Sequence, residues 1–138
     1  MTPEGAGTGG GPGLARKIGV RPGDALHLHH APGDWSVPDL PEGCTVVHGG
    51  PRGADVTVSF HRSLTRLAAG APALAEQLAD PAMLWIAWPR RAAGHESDIR
   101  EDDLRTVFLP LGLVDVKVAA LGEDWSGLKF VRRTENRS

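Results

Sequence analysis

The chain has 138 residues, 41% of them hydrophobic and 23% charged, with a formal net charge of -2. That balance suits one soluble domain with a single core and excludes a protein that recruits nucleic acid or anionic membrane through its overall field. A single cysteine, Cys44, rules out an internal disulfide and points to a reducing, cytoplasmic setting. No apolar run approaches the roughly 20 residues of a bilayer span, and the N-terminus lacks the charged start and apolar stretch of a signal peptide.

Residues 1–13 are rich in Gly, with Thr and Pro, and read as a flexible tail. They are not a phosphate loop, because no strand precedes them and the Lys-Ser/Thr pair is missing. Leu14 to Ile18 form one or two helical turns, stopped by Gly19. Arg21-Pro-Gly-Asp24 is a turn, and Ala25 to His30 read as the first strand. Ala31-Pro-Gly-Asp34 breaks it, and Trp35 to Pro41 form a short helix or an irregular crossover. Cys44 to His48 are a second, short strand. The loop Gly49 to Gly53 is too short for a crossover helix, and Ala54 to Phe60 are a β-branched third strand.

Ser63 caps a helix that starts at Leu64. Gly70 and Pro72 are expected to interrupt it, with Pro72 opening a second helical segment. Leu64, Leu67, Leu74 and Leu78 share one face, as a helix packed on a sheet requires. Met83 to Pro89 are an unbroken apolar run ended by a proline, the pattern of a strand buried on both faces. After a polar loop, Asp98 with Glu101 three residues later resembles a capping box. The helix it opens runs to Leu111 and stops at Gly112. Leu113 to Leu121 form a long strand, Gly122-Glu-Asp a turn, and Gly127 to Arg132 the last strand, followed by a charged tail at 134–138.

A β, β, β, α, β, α, β, β order predicts one α/β domain over residues 14–133 with a mostly parallel sheet. The last two strands are too close in sequence for a crossover and must pair antiparallel. This is the plan of a reduced Rossmann-like, methyltransferase-like sheet with a C-terminal antiparallel hairpin.

Four stretches carry a family resemblance. Leu84-Trp-Ile-Ala-Trp-Pro-Arg-Arg91 resembles a GLWVAWPKK motif, Leu109 to Val118 resembles LPLGLVDVKV, and Trp125 to Arg132 resembles TWSGLKFVRR. Leu14 to Gly23 is similar to an LAKKLGIKPG entry segment. Together they resemble the actinobacterial domain-of-unknown-function family 3052 over nearly all of Leu14 to Arg133. The resemblance implies a small intracellular protein with no agreed activity. The chain departs from the family pattern at His27, His29 and His30, where that family has aliphatic residues and a glycine.

Several constellations could carry chemistry. S-adenosylmethionine needs a Gly-rich turn after the first strand and an acidic residue after the second. The turn here is His30-Ala-Pro-Gly-Asp34 and the second strand ends in His48-Gly49, so no cofactor is expected. His27 and His29 alternate by two and share a face; with His30, and His48 or Asp34, they are candidate metal ligands, against the plainer role of half-exposed, hydrogen-bonded histidines. Cys44 has no catalytic partner in view and reads as a small packed side chain. Ser126 is no nucleophile elbow, because it enters a strand rather than leaving one.

The remaining set is Trp88, Arg90, Arg91, Asp98, Trp125, Ser126 and Lys129. It combines flat aromatic faces with cations suited to carboxylate or phosphate. The plainer role is structural: two tryptophans closing the sheet and Arg90 paired with Asp98. The sequence reading is a cytoplasmic, non-catalytic binding or regulatory module that uses the Trp-Pro-Arg-Arg strand end for an anionic small molecule or a partner protein. No membrane is involved, and the two Arg-Arg pairs make no basic stripe for nucleic acid. The alternative is an enzyme: a methyltransferase-like protein with a non-standard cofactor loop, or a histidine-dependent metal protein.

Overall fold

The computed structural model describes residues 13–33, 35–47, 52–78, 82–90 and 97–132. Residues 1–12 of the expected N-terminal tail, the expected C-terminal tail, Arg91, and the loop residues Asp34 and His48 lie outside the described residues. Ten elements follow in order. They are α1 (Leu14–Ile18), β1 (Ala25–His29), β2 (Thr45–Val47), β3 (Val56–Phe60), α2 (Leu64–Gln77), β4 (Met83–Pro89), α3 (Glu101–Phe108), a 3-10 turn at Leu109–Leu111, β5 (Leu113–Ala120) and β6 (Trp125–Arg132).

The six strands form one sheet in the order β2-β1-β3-β4-β6-β5. β2, β1, β3 and β4 run parallel, and β6 is antiparallel to both β4 and β5. The expected Rossmann-like sheet with its antiparallel C-terminal hairpin is therefore the observed fold. β4 is an inner strand, flanked by β3 and β6, and six of its seven residues are buried. That is the environment an apolar run such as Leu84 to Trp88 requires.

Each face of the sheet has its own apolar layer. On one face α2 and α3 pack Leu67, Leu74, Leu104 and Phe108 against Leu84, Ile86, Trp88, Leu128 and Phe130. On the other, α1 and residues 35–37 pack Leu14, Ile18, Trp35 and Val37 against Leu26, Val58, Phe60, Trp85 and Trp125. The alternation along β4 assigns its two tryptophans to different layers, Trp85 to the α1 side and Trp88 to the α2 side. Trp85 is fully buried and donates its indole N–H to the Ile18 carbonyl at 2.9 Å. A Cβ on Gly127 would lie 2.5 Å from Leu121 Cδ1 and 3.0 Å from Trp85 Cε3, which explains why the Trp-Ser-Gly run needs its glycine. Gly19 closes α1 in the left-handed region at φ 89°.

Two local expectations are corrected. α2 is one continuous helix with Pro72 inside it. The proline removes one backbone donor, but residues 68–70 on the preceding turn are exposed, so the freed carbonyl of Ala68 meets solvent. Asp98 does not cap α3. Asp103 does so, its Oδ2 accepting from the Arg100 N–H at 3.1 Å. Asp98 instead reaches back to α2, where its Oδ1 accepts from the Leu64 N–H at 2.9 Å.

Candidate functional site

The chain leaves β1 outward to β2, then crosses back to place β3 on the other side of β1. Connections part in opposite directions between β1 and β3, and an open α/β sheet keeps its ligands in the crevice such a parting leaves at the carboxyl ends. A cavity of about 480 Å³ lies there. Its walls come from the ends of β1 (His29, His30) and β3 (Phe60, His61), from the first turns of α2 with Arg62 and Arg66, and from Trp125 at the start of β6.

The aromatic wall is built by ring contacts. Phe60 meets Trp125 edge to face with centroids 4.9 Å apart, and Trp35 meets Phe60 at 4.8 Å. The Arg62 guanidinium lies 4.9 Å from the Trp125 ring centroid, a cation–π contact that orients an otherwise exposed side chain. Ser63 caps α2 by accepting from the Arg66 N–H at 3.3 Å.

The polar floor comes from register. His29 pairs with Ser59, and His27 with Thr57. Period-2 alternation puts His27, His29, Thr57, Ser59 and His61 on the α2 side, while Leu26, Val56, Val58 and Phe60 face α1. Ser59 is fully buried, where an unpaired hydroxyl would be costly. It is bridged on both sides, to His29 Nδ1 at 2.8 Å and to His61 Nε2 at 2.7 Å. Burial first, then His30 and His27, holds His29 below its ordinary value. Burial, then His29 and His30, pushes His61 down to about 4. The His61 imidazole is thus neutral at pH 7. His30 is the one described non-glycine residue with positive φ, at 60°, and its ring stacks on His29 at 3.8 Å. Backbone strain of this kind gathers at functional loops.

The candidate metal ligands His27, His29 and His30 stack on one another. His27 and His29 do share a face, but they stack at 5.8 Å with planes 26° apart, and His30 stacks on His29 at 27°. Stacked rings turn their faces, not their in-plane lone pairs, toward one another. Among the described residues no three His, Cys, Asp or Glu side chains are arranged to hold a metal ion.

The predicted Trp-Pro-Arg-Arg set is divided by the fold. Trp88 and Trp125 come from paired strands but belong to opposite layers. Arg90 does not meet Asp98. Its Nη1 donates to the Glu123 carbonyl and its backbone N–H to the Asp124 carbonyl, both at 2.9 Å, which ties β4 to the β5–β6 turn. Ser126 pairs with Trp88, and Lys129 with Trp85 and Lys117; burial, then Lys117, lowers Lys129. Of the set, Trp125 alone lines the cavity, and Arg91 lies outside the described residues. Sequence reasoning passed over Ser59, His61, Arg62 and Arg66.

No family model matches the chain, and no curated protein does. Solved structures do resemble it in fold. Magnesium protoporphyrin IX methyltransferase (ChlM) from Synechocystis PCC 6803, with bound S-adenosylmethionine, superposes with a TM-score of 0.57 at 13% identity, over 87% of this chain and 74% of that one. A SAM-dependent methyltransferase from Aquifex aeolicus gives 0.55 at 10% identity, over 87% and 88%. The neocarzinostatin O-methyltransferase NcsB1 gives 0.56 at 12%, over 80% of this chain and 49% of its own length. At such identities the likeness is one of fold.

Two of these neighbours are S-adenosylmethionine-bound. S-adenosylmethionine brings a sulfonium, an ammonium, a carboxylate and an adenine ring, and its ribose calls for a carboxylate. The described cavity wall carries Arg62 and Arg66 and no carboxylate. Where a Gly-rich turn would let backbone approach the cofactor, two imidazole rings stack instead. The described cavity wall thus supplies no carboxylate for the ribose, and Asp34 and residues 48–51, at the ends of β1 and β2, lie outside the described residues.

Proposed function

We propose that the protein binds a small anionic molecule with a planar ring in the cavity between the ends of β1 and β3. The observation that supports this reading is the make-up of the wall: Phe60 and Trp125 for a ring, Arg62 and Arg66 for an acid group, and no described carboxylate to repel it. The cavity volume lies in the range of small-molecule sites. Arginine suits a carboxylate through its paired donors, and the Trp125 contact holds the Arg62 guanidinium in advance of binding. This keeps the anionic small molecule of the sequence reading and moves it from the end of β4 to the end of β1. The fold neighbours are enzymes, which agrees better with an enzyme than with a purely regulatory module. Membership of domain-of-unknown-function family 3052 and a cytoplasmic setting belong to the same proposal, on the motifs at 84–91, 109–118 and 125–132 and on the single cysteine. No described helix is long and apolar enough to cross a membrane.

Titration calorimetry with phenylacetate tests the site. The wild type binds, and Arg62→Ala with Arg66→Ala weakens binding by about tenfold or more, as expected for lost charge-assisted hydrogen bonds. Stabilisation by S-adenosylmethionine with no response to phenylacetate would overturn this reading in favour of a methyltransferase with an unusual cofactor loop.

A further inference from the structure

The floor of the cavity has a property that ligand binding does not use. The Ser59 hydroxyl has one proton, and it bridges His29 Nδ1 and His61 Nε2 at 2.8 and 2.7 Å. A neutral imidazole has one donor nitrogen and one acceptor nitrogen. If His29 donates through Nδ1, its Nε2 is bare; Ser59 then donates to His61 Nε2, and His61 carries its proton on Nδ1. The mirrored sense exchanges the two roles. In either sense the nitrogens outside the bridge, His29 Nε2 and His61 Nδ1, form one base and one acid. Both residues line the cavity.

We propose that His29, Ser59 and His61 form a proton relay that makes the cavity a keto–enol tautomerase site for an enolisable aromatic 2-oxo carboxylate. The inference rests on the ligand reading above and names the substrate class and reaction of the same cavity. Arg62 and Arg66 take the carboxylate, and Phe60 and Trp125 take the ring. The base nitrogen removes a proton from the carbon beside the carbonyl. The C–H electron pair becomes the enol double bond as the carbonyl π pair moves onto oxygen, which takes a proton from the acid nitrogen of the other ring. Within the relay, the first histidine passes its bridge proton to Ser59, and Ser59 passes its own to the second histidine. Both rings end neutral and the relay ends in its mirrored sense, so no proton is gained or lost and no cofactor is needed. The two rings meet at 67° with centroids 6.1 Å apart, both on the wall of the one cavity, so a single small substrate can lie against both. Neutral imidazoles, held so by burial, keep one lone pair available at pH 7.

Ser59 is a positioning residue here, because its buried hydroxyl reaches the two histidines and not the substrate. The test is uptake of solvent deuterium at C3 of phenylpyruvate, followed by NMR, with binding of phenylpyruvate and phenylacetate measured alongside by calorimetry. The wild type should exchange about a hundredfold faster than buffer alone, a gain ordinary for positioned acid–base groups. Ser59→Ala should bind phenylpyruvate normally and lose most of that gain. Ser59→Thr, which keeps a hydroxyl, should recover part of it, and His61→Gln should lose it as well. Phenylpyruvate bound with no exchange above buffer, or equal exchange by wild type and Ser59→Ala, overturns the relay and leaves the ligand site standing. Phenylacetate bound with phenylpyruvate rejected overturns the substrate class. Neither acid bound overturns the ligand site and the relay with it.

Discussion

Two regions at the carboxyl rim of the same sheet carry aromatic rings and arginines, and they differ in whether anything is left exposed. The rings are buried in both, Trp88 at 8% exposure and Phe60 and Trp125 at 3% and 5%, but at the end of β4 Arg90 is committed to the carbonyls of Glu123 and Asp124. At the ends of β1 and β3, Arg62 and Arg66 remain exposed around a cavity. The cause is topological. The neighbour of β4 on one side is antiparallel β6, whose entering turn folds across the rim. Between β1 and β3 the connections part, β1 leading to β2 on one side and β3 to β4 on the other. Being at a carboxyl end is thus not enough to make a ligand site; the rim must also lie where the strand order reverses.

The largest effect expected from this contrast is on stability at the sealed end. Trp88→Ala should lower the unfolding free energy by about 3–5 kcal/mol in a urea titration, with phenylacetate affinity of the folded fraction unchanged. Arg90→Ala removes one guanidinium–carbonyl bond and should cost roughly 1 kcal/mol, again with no change in affinity. An affinity loss in either variant would erase the distinction between the two regions.

Acid comes next. An unfolded histidine takes up its proton near pH 6.5, roughly the ordinary value, whereas folded His61 does so at about 4. Between those values the unfolded state binds more protons, so stability falls as pH drops from about 6.5 toward 4. His29, also lowered, adds to the same slope. The groups facing the pair are His27, His30, Arg62 and Arg66. Thermal melts across that window should show a shallower decline in His61→Gln than in the wild type. The smallest stability effect belongs to Arg66→Ala, within about 0.5 kcal/mol in urea, although this variant should weaken phenylacetate binding by about tenfold.

Much of the fold was legible in local sequence. The apolar Met83 to Pro89 run became an inner strand, Gly19 stopped α1, and the short link between Leu113–Ala120 and Trp125–Arg132 required an antiparallel hairpin. The site was less legible, for a physical reason. Arg90 and Trp88 stand next to each other in sequence, but a period-2 strand and a covering turn send them to separate fates. The residues that do converge lie on β1, β3 and α2, and only the β1–β3 register brings them together. A signal was present in the matched alternation Leu26-His-Leu-His29 and Val56-Thr-Val-Ser-Phe-His61. Both inner strands are apolar on one side and polar on the other, which a strand buried on both faces does without unless the polar side has a use. The role of Asp98 is not legible locally because its partner, the Leu64 N–H, lies 34 residues away, on a helix whose position depends on the finished sheet.

The most direct measurement is a 1H–15N NMR titration of the wild type with phenylacetate, observing backbone amides together with arginine, histidine and tryptophan side-chain signals. Saturable shifts centred on His29, His61, Arg62, Arg66 and the Trp125 indole are expected, with Trp88 and Arg90 unmoved. Shifts centred on Trp88 and Arg90, or none at saturating acid, would contradict this placement of the site.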